Sequence, residues 1–188
     1  MSPHAPVGYT RLERERRQMR ILLVDDDEGF RTALRHLLTR RSHEVRVEEA
    51  ADGEEALQRV ATSRPDAVLM DLTMPRMNGI EATRRLKVRW PELPVLILTV
   101  HDDPVYERTA RAAGADGFLL KKTAGTALWP ALAPLVVGTS GAGPEVSQAI
   151  VEPWLSALRR GIGRVWLRDF SLPTFRDRPD WRTLPSPL

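Results

Sequence analysis

Ile21-Leu22-Leu23-Val24-Asp25-Asp26 is the stretch that decides the fold. Four consecutive apolar residues, too short for a helix, read as a strand buried on both faces, which is the habit of parallel sheets. Acidic residues then end the run abruptly. The same design recurs downstream. Ala67-Val68-Leu69-Met70 closes at Asp71, Val95-Leu96-Ile97-Leu98 at Thr99, and Gly117-Phe118-Leu119-Leu120 at Lys121. Between these runs the period changes. Phe30, Ala33, Leu34, Leu37 and Leu38 line one helical face, as do Ala56, Leu57, Val60 and Ala61, and then Ile80, Thr83, Leu86 and Trp90. Residues 44–50 alternate around Val45 and Val47 and predict an edge strand. Asp103-Pro104 predicts a cap with proline at the first helical position, and Gly114 a stop. Strands alternating with helices require crossovers, so the chain predicts a doubly wound α/β fold, a five-stranded parallel sheet covered on both faces.

Composition narrows the function. The chain has 188 residues, 42% of them apolar, enough for one ordinary domain and some extra. Its apolar runs fall well short of the roughly 18 residues of a membrane span. No apolar segment suited to secretion follows Met1, and the absence of cysteine excludes disulfides and thiolate metal sites. The expected location is the cytoplasm. Residues 1–20 carry five Arg and two Glu, and residues 153–188 carry seven Arg and three Asp. The net charge of +3 therefore comes from the two ends, while the middle is mildly acidic. The high pI is not by itself a nucleic-acid signature.

The polar residues collect at strand ends, where open α/β sheets bind ligands at the point of strand-order reversal. With the order 2-1-3-4-5, the first and third strands are neighbours there. Asp25, Asp26 and Asp71 would then converge, with Thr99 and Lys121 beside them. Two carboxylates 4 Å apart repel by about 4 kcal/mol at an effective dielectric of 20. Protons or a cation must relieve that repulsion. An all-oxygen site of this kind suits Mg²⁺, which commonly takes one or two carboxylates plus a phosphate. Asp71 would be the nucleophile towards phosphorus, with Lys121 and Thr99 holding phosphoryl oxygens. Taken singly, each residue has a plainer reading. An acidic trio is usually a solvated loop, Asp27 a helix cap, Phe118 core, Lys121 surface and His101 an exposed loop residue. Their order along the chain favours the site.

Residues 20–124 resemble response-regulator receivers of two-component systems, specifically the NarL/FixJ (LuxR-type) group. The resemblance is carried by Ile21-Leu22-Leu23-Val24-Asp25-Asp26, by Asp71-Leu72-Thr73-Met74-Pro75-Arg76-Met77-Asn78-Gly79, by Leu98-Thr99 and by Gly117-Phe118-Leu119-Leu120-Lys121. It implies a flavodoxin-like (βα)5 domain over residues 20–138, phosphorylated on Asp71 by a sensor histidine kinase. It further implies Mg²⁺ held by Asp26, Asp71 and the Thr73 carbonyl, with Asp25 acting mostly through water. Thr99 and Phe118 match the switching hydroxyl and aromatic positions. Such a protein is a phosphoacceptor that assists its own phosphorylation and dephosphorylation rather than an enzyme, and a homodimer is one expected assembly.

The pattern is broken in four places. Residues 1–19 form an extension in which disorder is expected. Lys122 stands where many receivers carry proline. Pro130 and Pro134 fall inside the last helix, which is expected to be kinked or shortened because an internal proline costs about 3 kcal/mol. Residues 139–188 read as a linker and an irregular basic tail without a helix-turn-helix pattern, as a truncated or frameshifted gene would produce. DNA binding would then need an output domain not evident here, and a regulator with a degenerate output domain is the alternative reading. An aspartyl phosphatase is disfavoured. Thr73 cannot serve as its general acid, and no cap-sized insertion follows.

Overall fold

The structure, a computed structural model, describes residues 19–40, 45–137 and 165–167. Five parallel strands form its centre: β1 (Met19–Val24), β2 (Val45–Ala50), β3 (Ala67–Asp71), β4 (Val95–Thr99) and β5 (Gly117–Leu120). Helices α1 (Glu28–Thr39), α2 (Gly53–Ser63), α3 (Gly79–Arg89), α4 (Pro104–Ala112) and α5 (Ala124–Val137) follow them in turn. The parallel strands lie in the order 2-1-3-4-5, as the sequence predicts. A sixth strand, β6 (Val165–Leu167), extends the sheet by pairing antiparallel with β5. It lies in the stretch read as an irregular tail. Most other readings of the two chain ends concern residues outside those described.

Pairing register explains both the core and the site. Val24 lies opposite Met70, Met70 opposite Ile97, and Ile97 opposite Phe118. Because side chains alternate along a strand, these residues share one face with Leu22, Val68 and Leu120. They form a buried cluster with α2, α3 and α4 through residues such as Ala56, Val60, Ala82, Leu86 and Ala110. The opposite face carries Ile21, Leu23, Leu69, Leu98 and Leu119. It is covered by Leu34 and Leu38 of α1 and by Leu128, Leu132 and Leu135 of α5. One step beyond the Val24–Met70 row, the register sets Asp25 beside Asp71. The next step brings Thr99 into line with Leu120, one residue short of Lys121.

Helix ends follow local chemistry. Asp27, Asp52, Asn78 and Asp103 cap α1 to α4, each accepting a backbone N–H with its side chain. Gly114, at φ +93°, adopts the left-handed conformation that ends α4 at little steric cost. Of the kinked or shortened last helix expected, the shortening does not occur: the helix runs 14 residues through both Pro130 and Pro134. The prolines remove two backbone donors, but Ala127, Leu128, Trp129, Ala131, Leu132, Leu135 and Val136 are all buried. Tertiary burial overrides the local penalty. No cis peptide bond occurs among the described residues, in keeping with Lys122 in place of proline.

Candidate functional site

The strand termini deliver a cleft lined with oxygen. Asp25 follows β1 directly, and its N–H donates to the Ala50 carbonyl (3.1 Å), fixing the backbone to β2. One carboxylate oxygen of Asp25 accepts the Asp27 N–H at 3.0 Å. The other lies 2.6 Å from Lys121 Nζ. Asp71 ends β3 and lies 3.3 Å from the same ammonium. Asp26 is exposed, whereas Asp25 and Asp71 are buried. Carboxylate oxygens of all three lie within 4.8 Å of one another. Asp25, Asp26, Asp71 and Lys121 are thus brought together as the sequence predicts.

The Asp71 carboxyl is held above its ordinary range, the net of opposing influences. Burial pushes the Asp71 carboxyl above its ordinary range, the Lys121 ammonium pulls it down, and the Asp25 charge pushes it up again. Burial is the largest of these influences. Three hard carboxylate ligands, Asp71 among them, fit a small divalent cation such as Mg²⁺. Such an ion would stabilise the anionic form that burial disfavours.

Thr99 ends β4 and is fully buried; its Oγ1 accepts the His101 N–H at 3.1 Å. That bond occupies a lone pair and does not use the hydroxyl proton. Phe118 lies within β5 with its ring inside the core face shared by α2, α3 and α4. Thr73 is exposed, and its hydroxyl lies 3.1 Å from His101 Nε2. His101, expected as an exposed loop residue, lies in the loop after β4 and is half-buried. It bridges to Thr73 and stacks on Tyr106, ring centroids 4.4 Å apart.

Supporting residues escaped the sequence reading. Phe30 places its ring 4.6 Å below Lys121 Nζ, a cation–π contact from α1. Arg31 donates to the Asp25 carbonyl at 2.6 Å and pairs with Glu49 at 3.1 Å. Glycine at position 79 is required by a close approach. A Cβ on Gly79 would collide with the carbonyl oxygen of Asp71, and the Gly79 N–H donates to the Leu72 carbonyl at 2.9 Å.

A profile described as the response regulator receiver domain matches residues 21–133. The chain belongs to the response-regulator receiver family. Over 137 residues it is 34% identical to the transcriptional regulatory protein DegU of Brevibacillus brevis, covering 73% of this chain and 58% of the relative. Over 104 residues it is 47% identical to the response regulator MprA of Mycobacterium avium, covering 55% of this chain and 44% of the relative. Among solved structures, a two-component response regulator of the LuxR family from Aurantimonas sp. superposes with a TM-score of 0.59 at 36% identity. That match covers 72% of this chain and 97% of the other. The receiver therefore spans about half the length of the curated relatives it matches. No helix among its described residues is long and apolar enough to cross a membrane.

Proposed function

We propose that this receiver accepts a phosphoryl group on Asp71 from a sensor histidine kinase and switches a signalling surface in response. The observation that carries the reading is the convergence of Asp71 with Asp25, Asp26 and Lys121 at the carboxyl ends of β1, β3 and β5. In the transfer, a carboxylate oxygen of Asp71 forms a bond to phosphorus as the bond to the kinase imidazole nitrogen breaks. The product is an acyl phosphate, later returned to carboxylate when water attacks phosphorus. Lys121, already 3.3 Å from Asp71, pairs with a phosphoryl oxygen. Thr99 donates its hydroxyl to another. Asp25, Asp26, Asp71 and the Thr73 carbonyl would hold Mg²⁺, which neutralises charge on the transferred group when bound. The chain's own work is to position these groups and to bury the reacting carboxylate.

The new charge, roughly −1.5 to −2 by analogy with other phosphorylated side chains, biases a two-state element. Thr99 and Phe118 are the residues through which it acts. On this reading the chain is a cytoplasmic phosphoacceptor rather than an enzyme, with the kinase and a second copy of itself as partners. A transcriptional role rests on the names of relatives such as DegU and MprA. It would require an output domain outside the described residues, and a gel-shift titration at two salt concentrations tests it.

Incubation with acetyl phosphate and Mg²⁺ should yield a labile adduct, read by intact mass, that Asp71→Asn abolishes. An adduct of equal yield in the variant would overturn the assignment of Asp71.

A further inference from the structure

The segment from Asp71 to Gly79 carries both the acceptor carboxylate and the Thr73 carbonyl, so its backbone must be held still. Its ends are fixed by the Gly79–Leu72 hydrogen bond and by Gly53 N–H donating to the Met77 carbonyl at 3.2 Å. Met74 and Met77 are buried on the core side. The bend between them is unusual. Arg76 sits at φ +60°, a conformation that costs ordinary residues energy and usually goes to glycine or asparagine after a proline such as Pro75.

Something must hold an arginine there, and Asp52 is placed to do it. Asp52 is 1% exposed. Its Oδ1 accepts the N–H groups of Glu54 and Glu55 at 2.8 and 2.9 Å, capping α2. That leaves Oδ2 without a hydrogen-bond donor, and the Arg76 guanidinium lies directly against this oxygen. A buried carboxylate with one oxygen committed requires a cation at the other. The pair therefore joins the start of α2 to the crest of the acceptor segment.

We propose that Asp52 and Arg76 form a clamp that presets the Asp71–Gly79 segment, making both positioning residues for phosphoryl transfer at Asp71. The proposal rests on the phosphoacceptor reading above. Neither residue touches the phosphorus or the ion. They act through the placement of the Thr73 carbonyl and the Asp71 carboxylate, as supporting contacts around metal ligands do.

The test uses the full chain and separates backbone strain from the ionic tether. Arg76→Gly frees the positive φ but removes the charge, Arg76→Ala removes the charge and keeps the strain, and Arg76→Lys restores a charge. The Mg²⁺ concentration giving half-maximal acetyl-phosphate labelling should rise about 10-fold in the glycine and alanine variants, and lysine should recover part of the loss. Asp52→Asn should raise it similarly, and the double variant with Arg76→Gly should be no worse than either single one. A second readout is independent of labelling. Amide exchange over residues 72–78 should quicken in Arg76→Gly, while amides of β1 and β3 keep their protection. Wild-type exchange in Arg76→Gly, or additive effects in the double variant, would overturn the clamp. Failure of the wild-type chain to form an Asp71-dependent adduct would instead overturn the phosphoacceptor reading, and exchange alone would then decide the clamp.

Discussion

Helices α1 and α5 lie on the same face of the sheet, and each starts just after residues of the cleft, yet they are held by opposite means. α1 is amphipathic. Asp27 caps it, Arg31 and Arg35 both pair with Glu49 at 3.1 and 2.9 Å, and only Leu34 and Leu38 are deeply buried. α5 carries no charged residue, contains two prolines, and is buried on nearly every side. The first helix could be drawn from its local pattern alone. The second exists because the sheet and its neighbours give its apolar surface somewhere to go. Both back the same cleft, since Phe30 of α1 supports Lys121, which leads into α5.

Three substitutions sharpen or break this contrast. The largest effect is expected at the fully buried Leu132. Leu132→Ala should lower unfolding stability by about 2–5 kcal/mol, read from the urea midpoint at unchanged slope. A loss below about 1 kcal/mol would mean that burial is not what sustains α5. Next is the half-buried Pro134. Pro134→Ala restores a backbone donor inside the helix and should stabilise the chain by about 1–3 kcal/mol. A destabilisation would show that the proline ring fits its site better than a regular turn does. The smallest is expected at Asp27→Ala, which removes the cap of α1 and should cost about 1 kcal/mol. Far-UV circular dichroism during thermal unfolding checks it, and no loss would mean the Glu49 pairs suffice to hold the helix.

The same contrast marks what the sequence reveals. Strands β1, β3, β4 and β5 are legible because burial on both faces leaves an apolar run ending in a polar residue. Asp71, Asp25, Asp26, Thr99 and Lys121 are legible for the same reason, since each stands where such a run stops. The continuity of α5 is not. Pro130 and Pro134 speak only of local cost, and the compensating contacts come from strands far away in the chain. Asp52 and Arg76 are hidden in a similar way. Asp52 caps α2, but nothing local says that its leftover carboxylate oxygen meets an arginine 24 positions later. His101 looks like a solvated loop residue until Thr73 and Tyr106 are seen beside it. Val165–Leu167 has three apolar residues and no period, too little to read as β6.

That short strand has a consequence for how the molecule meets its surroundings. An outermost strand exposes a row of unmet amide and carbonyl groups, to which any extended peptide can add itself. By running antiparallel along Gly117–Leu119, the chain supplies its own peptide to the flank nearest Phe118. A foreign strand seeking that flank must first displace a tethered competitor, whose local concentration no dilution can lower.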